Sequence, residues 1–392
     1  MVTDAQRDRQ VRQALAEAEL DALICRLPEN LVCLTGYYPQ VGFSFVVYPT
    51  AGEPVVVAPR PEREQAAAGR VADVRVYETW RLPDPPPLES VARLLGQIVR
   101  EKQLVGKAIG YEGSFEAIAP SQLAGEPYLP ALPTRQVLAE LVGSGLVDAT
   151  DALNRLRAQK TPREIEKLRL ASEVAGLGLH VFKQQAQPGR TEAQVAAAVE
   201  AAIYGQGIGY RGVRYARGWA QVFSGPNTVE GWYYPVSSAR LIQAGDLVMI
   251  ELGTVVDGYW SDLTRTVVAG GKATPRQREL YQLVGAAQQA SLAASRPGVL
   301  GRDADAAGRR ILVEAGLGDC FVHHTGHGLG FRYHEPIPSV HPASTHTLAV
   351  GHVHSIEPGV YGPEFGGVRI EDDAVVLDGG ARFLSQRDFD LE

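Results

Sequence analysis

The sequence predicts an α/β N-terminal domain followed by a larger α+β domain, and three observations lead there. The chain has 392 residues, more than one core usually fills. Its first stretch alternates helical and strand signals. Near residue 155 the character changes to box-capped helices and to strands that carry acids.

The opening Ala-rich periodic stretch from Ala5 to Glu19 reads as a helix, and the apolar run Leu20 to Cys25 as a strand. Phe43 to Tyr48 and Pro54 to Ala58 flank Thr50-Ala-Gly-Glu53, a hairpin signature because glycine sits in a short polar loop between β-rich runs. Strands near Val74 to Tyr77 and Ala108 to Tyr111 extend the same sheet. Pro83 to Pro87 holds four prolines in five residues and reads as a surface loop. Leu153 to Lys160 reads as the linker, which places a first domain over 1–155 and a second over 156–392. Thr161-Pro-Arg-Glu164 then supplies an N-cap, a first-turn proline and a capping-box acid, so a long helix should begin there. Thr274-Pro-Arg-Gln277 repeats the device, which hints at an internal α/β duplication without establishing one.

Composition narrows the function classes. Hydrophobic residues make up 45% of the chain, enough for a sizeable core, and the formal charge is −7. Lys and Arg are scattered, so neither nucleic acid nor an anionic membrane is an expected partner. Cys25, Cys33 and Cys320 have no zinc-finger spacing and are odd in number, which points to buried free thiols in a reducing cytoplasm. The N-terminus is charged and has no apolar leader-like core, and no run approaches the ~18 apolar residues of a membrane span. A soluble cytoplasmic protein is expected.

The chemistry concentrates in the second half. Eight of the nine histidines fall between His323 and His354. Leu247 to Gly253 reads as a strand, Asp257-Gly258 as a tight turn, and Tyr259 to Val267 as the returning strand. With Asp257 and Gly258 central, Val256 pairs with Tyr259, Gly253 with Asp262, and Glu251 with Thr264. Glu251 and Asp262 then share a face as diagonal neighbours, their β-carbons roughly 7–8 Å apart, which lets both carboxylates reach one cation. Buried acids on apolar strands are costly unless paired or metal-bound.

His327 lies in His323-His-Thr-Gly-His-Gly-Leu-Gly330, where flanking glycines let the chain pass close to a ligand. His334 follows as a candidate substrate contact and His323 as a supporting or substrate-side group. His341, His346, His352 and His354 read as surface or supporting residues. Glu357 stands at a strand end before a Pro-Gly turn, and Arg369 and Glu371 share one strand face at period two. So many carboxylates would repel one another without cations, and oxygen-rich ligands with an imidazole suit a pair of divalent ions.

In order and spacing these segments resemble the pita-bread metallopeptidase family, which includes prolidases, aminopeptidases P and methionine aminopeptidases, with creatinase as a metal-free relative. The matching segments are Gly245-Asp246, Glu251-Leu-Gly253, Gly258 to Thr266, Gly326 to Gly330, His334-Glu335, Ile356 to Gly359 and Val368 to Asp372. The N-terminal α/β region places the chain near the proline-directed and creatinase branch. The resemblance implies that Glu251 and Asp262 hold one metal, that His327 and Glu357 hold a second, and that Asp262 and Glu371 bridge them. It further implies a metal-bridging hydroxide as nucleophile, Glu357 as proton acceptor, and His334 as oxyanion stabiliser or contact to the proline end. Arg369 becomes a supporting or substrate-carboxylate group. Mn²⁺, Zn²⁺ and Co²⁺ all suit these ligands.

Two departures stand out. The family's first ligand is Asp, whereas Glu251 is longer by about 1.5 Å. The family also carries a histidine where Tyr234, or by a neighbouring alignment Tyr233, stands here, and a phenol is not cationic near neutral pH. The expected activity is that of a prolidase acting on Xaa-Pro dipeptides, as a homodimer by family resemblance. Aminopeptidase P activity on longer peptides, a non-peptide C–N hydrolase and a non-catalytic binding module are the alternatives.

Overall fold

A computed structural model describes residues 4–41, 43–78, 85–113, 132–232, 236–385 and 390–392. The chain divides into two compact units, with the change at Arg157/Ala158.

The first unit is built on one six-stranded mixed sheet. Its elements are α1 (Ala5–Glu17), β1 (Ala22–Cys25), α2 (Pro28–Thr35), β2 (Phe45–Pro49), β3 (Val55–Pro59), α3 (Arg63–Ala67), β4 (Asp73–Tyr77), α4 (Pro87–Glu101), β5 (Ile109–Tyr111), α5 (Leu132–Val142), β6 (Leu146–Asp148) and α6 (Thr150–Ala158). The order across the sheet is β4-β3-β2-β1-β5-β6. The expected hairpin is present: β2 and β3 pair antiparallel with Phe45 opposite Val57. Ile24, Val47, Val57, Leu95 and Ile98 are fully buried in its core. Cys25 and Cys33 are buried free thiols, and Cys320 in the second unit is a half-buried one.

Two expectations need correction. The stretch read as a linker is helical as far as Ala158, because Leu153 and Leu156, three residues apart, are buried along α6. Pro87 is the first residue of α4, where a proline lacks nothing the helix needs, while 83–84 lie outside the described residues.

The second unit contains α7 (Pro162–Gln185), α8 (Glu192–Gly207), β7 (Ala216–Ser224), β8 (Leu247–Val256), β9 (Tyr259–Val268), α9 (Pro275–Ala294), α10 (Gly301–Glu314), β10 (Gly326–Gly328), β11 (Glu335–Val340), β12 (Val353–Ile356), β13 (Gly359–Gly362), β14 (Gly366–Arg369), β15 (Asp372–Leu377) and β16 (Gly380–Phe383). Thr161 and Thr274 close the capping boxes expected of them, and Thr191 with Gln194 forms a third at the start of α8. The sheets are β7-β8-β9, β11-β10-β12-β15-β16 and the β13-β14 ribbon. Val174, Phe182, Val199 and Ile203 of the helices pack on Val222, Ile250 and Leu252 of the first sheet, all buried. Among the described residues, no helix is long and apolar enough to cross a membrane.

Candidate metal centre

The β8–β9 hairpin sets the first two acids. Its register pairs Val256 with Tyr259, Gly253 with Asp262 and Glu251 with Thr264, and the turn residues Asp257 and Gly258 both take positive φ, at 48° and 90°. Gly253 is required by packing: a β-carbon there would stand 2.8 Å from the Tyr333 ring. The space it leaves admits the Tyr333 hydroxyl between the two acids, 2.6 Å from Glu251 Oε1 and 3.0 Å from Asp262 Oδ1.

The third acid arrives from another sheet. The Glu371 N–H donates to the Thr264 carbonyl at 3.1 Å, which joins the hairpin to the segment entering β15. The Thr264 hydroxyl lies 2.7 Å from both Glu251 Oε2 and Glu371 Oε2. One hydroxyl has one proton, so one contact is completed by a proton on the acid. Burial, then the charges of Glu357 and Glu251, push Glu371 well above the usual carboxylate range, which favours its protonated form at this contact. Burial and the charges of Glu371, Glu251 and Glu357 raise Asp262 in the same way. Glu251 shifts down: burial opposes its ionisation, but the Arg369 guanidinium at 2.5 Å outweighs it.

The imidazoles approach from the opposite side. His327, in β10, donates from Nδ1 to the Gly328 carbonyl at 2.9 Å, which leaves the Nε2 lone pair free. That atom is 3.4 Å from Asp262 Oδ2 and 3.4 Å from Glu357 Oε1. The flanking glycines serve packing rather than ligand approach, since β-carbons at Gly326 and Gly328 would meet the Ser355 and Ile337 carbonyls at 2.0 and 2.3 Å. His334 Nε2 stands 3.4 Å from Asp262 Oδ2, and its ring lies 3.6 Å from that of His327. Burial and His327 keep His334 neutral, well below the usual imidazole range. Glu357, just after β12, accepts from Ser355 Oγ at 3.1 Å and lies 3.5 Å from His324 Nε2. Burial would raise Glu357, but the hydrogen bond and charge of His324, with His327 and His323 beside it, bring it well below its ordinary value.

Three groups of ligating atoms result, each within 4.8 Å: Glu251, Asp262 and Glu371; Asp262, His327 and His334; His324, His327 and Glu357. The five residues expected as ligands are therefore brought together. Their chemistry fits a divalent cation, because Asp262 Oδ2 and Glu371 Oε1 are buried with no hydrogen-bond partner. Orphaned buried oxygens of this kind cost ~1–3 kcal/mol or more each, and a cation removes that cost.

Arg369 occupies the supporting position of its two alternatives. Its guanidinium is buried and contacts Glu251, Thr264 Oγ1 at 3.0 Å, and the Gly231 carbonyl and Tyr361 hydroxyl at 2.7 Å each, rather than facing open space for a substrate carboxylate. His323 supports the same network through its Nε2, 3.0 Å from the Tyr361 hydroxyl, and burial lowers its pKa to about 4. Tyr233 and Tyr234 lie outside the described residues. His352 and His354 are buried rather than superficial, at 8% and 0% exposure. Sequence reasoning did not find Tyr333, Tyr361 or His324. Only His324 left a signal, its place in the histidine cluster.

Comparison with known proteins identifies the family. Residues 166–378 match the model of metallopeptidase family M24, and residues 7–159 match that of the creatinase/prolidase N-terminal domain. A Bacillus subtilis protein named as a dipeptidase, YkvY, is 33% identical over 98% of this chain and 99% of its own length. The Xaa-Pro dipeptidase of Lactobacillus helveticus is 36% identical over 62% of this chain and 64% of its own. The crystal structure of dipeptidase PepE from Mycobacterium ulcerans superposes with a TM-score of 0.73 at 31% identity, covering 99% of this chain and 96% of that one. The expected fold, an α/β first domain joined to a pita-bread catalytic domain, holds.

Proposed function

Since the chain belongs to metallopeptidase family M24, we propose that it hydrolyses the Xaa-Pro imide bond of dipeptides with two divalent ions bound at this centre. The observation that carries the reading is the pair of orphaned buried oxygens, Asp262 Oδ2 and Glu371 Oε1, beside a free imidazole nitrogen on His327. The proline preference draws support from the Xaa-Pro dipeptidase relative.

Glu251, Asp262 and Glu371 would hold one ion, and Asp262, His327, Glu357 and Glu371 the other. Bound there, the ions supply Lewis acidity toward the scissile carbonyl and make water more acidic. The remaining work falls to the chain. Glu357, held ionised by its histidine neighbours, accepts a proton at Oε1 and has the most exposed side chain of the four acids, at 12%. His334 is neutral and presents Nε2 beside Asp262, where it can donate to a developing oxyanion or contact the proline end. Arg369, Thr264 and Tyr333 fix the Glu251 carboxylate.

The test is hydrolysis of a matched panel by metal-stripped protein resupplied with Mn²⁺, Zn²⁺ or Co²⁺. Cleavage of an Xaa-Pro dipeptide, and not of an Xaa-Ala dipeptide or an Xaa-Pro-Xaa tripeptide, is expected. Preference for the tripeptide would transfer the assignment to aminopeptidase P. No cleavage with any of the three ions would overturn the peptidase reading.

A further inference from the structure

We propose that His324 is an additional metal ligand in this chain, a second imidazole beside His327 and Glu357 that shifts this seat toward a nitrogen-preferring ion such as Zn²⁺. The inference rests on the metal-dependent reading above and extends it to a residue outside the five ligand positions.

Distance is the first argument. Both His324 Nε2 and His327 Nε2 face a single oxygen, Glu357 Oε1, at 3.5 and 3.4 Å. A hydrogen-bonded nitrogen and oxygen close to about 2.7–3.2 Å. Ligand atoms about 2.0–2.1 Å from a tetrahedral zinc ion stand roughly 3.3–3.4 Å apart. The spacing of these atoms matches an edge of a coordination tetrahedron and stands at the long limit of a hydrogen bond. All three atoms lie within 4.8 Å of one another.

The second argument is orientation. The Nδ1–H of His327 is spent on the Gly328 carbonyl, which commits Nε2 to act as an acceptor. Its one lone pair serves one ion, and the choice of a second imidazole for that ion lies between His324 beside Glu357 and the buried His334 beside Asp262. Exposure separates the two. The His324 side chain is 30% exposed and that of Glu357 12%, whereas those of His334 and Asp262 are at 5% and 0%. Solvent therefore reaches the His324 side more readily, as an exchangeable ligand position requires. Adding an imidazole to a carboxylate-rich centre shifts its preference from Mn²⁺ toward Zn²⁺ and Co²⁺.

The experiment uses the full-length protein, stripped with a chelator, titrated with Zn²⁺ against a chromophoric competitor and separately with Co²⁺ while the visible d–d bands are recorded. His324→Asn and His324→Ala are compared with the parent, and His341→Ala serves as a neighbouring-histidine control, its ring 6.2 Å from His324. Far-ultraviolet circular dichroism verifies folding. The expected result is that both His324 variants lose affinity for one zinc equivalent by at least ~10- to 100-fold and change the cobalt bands, while His341→Ala does neither. Zinc titrations and cobalt spectra unchanged in both folded His324 variants would overturn the assignment and leave the peptidase reading standing. A parent protein that takes up neither ion would overturn both.

Discussion

Glu112 in the first unit and Glu371 in the second are both buried acids, at 4% and 1% exposure, yet their surroundings differ in kind. Glu112 receives the backbone N–H groups of Arg26 and Leu27 and the Asn30 side-chain amide, all at 2.8–3.0 Å. Glu192, in the second unit, is likewise surrounded by donors from Ser224, Asn227 and Ser238. Glu371 and Asp262 each keep one oxygen with no donor at all. A carboxylate that holds a fold together is saturated by the chain. Glu371 and Asp262 are instead left short of donors and crowded by like charges, which supports the reading of a cation site.

Removing the unsatisfied acid is the strongest way to break this contrast. Glu371→Gln should lower kcat/KM by at least ~10³-fold and reduce metal uptake measured by elemental analysis. The same change puts a neutral amide where the cluster already opposes ionisation, and should leave the metal-stripped protein as stable as its parent, or more so, in urea. A large loss of stability with activity retained would assign Glu371 to the structural class. Next in size is Arg369→Met, which leaves Glu251 without its buried guanidinium partner. A destabilisation of ~3–5 kcal/mol is expected from urea titration, since the cost is that of an uncompensated buried charge.

The satisfied acid sharpens the same contrast through pH. Burial raises the Glu112 carboxyl to about 7, against 4.5 for an ordinary glutamate, and its hydrogen bonds offset only part of that shift. Because the folded value lies above the unfolded one, the folded state binds the extra proton. Its contribution is fully present below about 4.5 and is lost as pH rises through about 7, a span worth roughly 3 kcal/mol. Glu112→Gln should therefore be less stable than the parent at pH 5 and approach or overtake it at pH 7.5, with peptidase activity intact. Parallel urea curves at the two pH values decide this, and an equal gap at both would remove Glu112 from the titrating groups.

How much of this was legible in the sequence follows from how local each determinant is. The β8–β9 register was readable to the residue because Asp257-Gly258 fixes a two-residue turn, and alternation then decides which side chains share a face. The helix starts at Thr161 and Thr274 were readable because a capping box is a four-residue device. The end of α6 was not, because the burial of Leu153 and Leu156 depends on packing that no local signal encodes. The five expected ligands came from motif order across the chain. The supporting shell did not: the contacts of Arg369 with Glu251, Tyr361 and Thr264 exist only once β8, β9, β13 and β14 are assembled.

Tyr333 shows that limit most clearly and gives the smallest expected effect. Nothing in Phe331-Arg-Tyr-His334 marks its hydroxyl for the acids, and its route there depends on the missing side chain of Gly253 in a distant strand. Trp219 and Trp260 pack against its ring at 5.3 and 5.6 Å, so the aromatic body is held independently of the hydroxyl. Tyr333→Phe should therefore fold normally and lose only the hydrogen bond to ionised Glu251, about 1.5–3 kcal/mol or roughly 10- to 100-fold in kcat/KM. Gly253→Ala would displace the same ring with its packing intact elsewhere, and should lower activity at least as far. If Tyr333→Phe is fully active while Gly253→Ala is not, the ring alone matters and the hydroxyl is a bystander between the two acids.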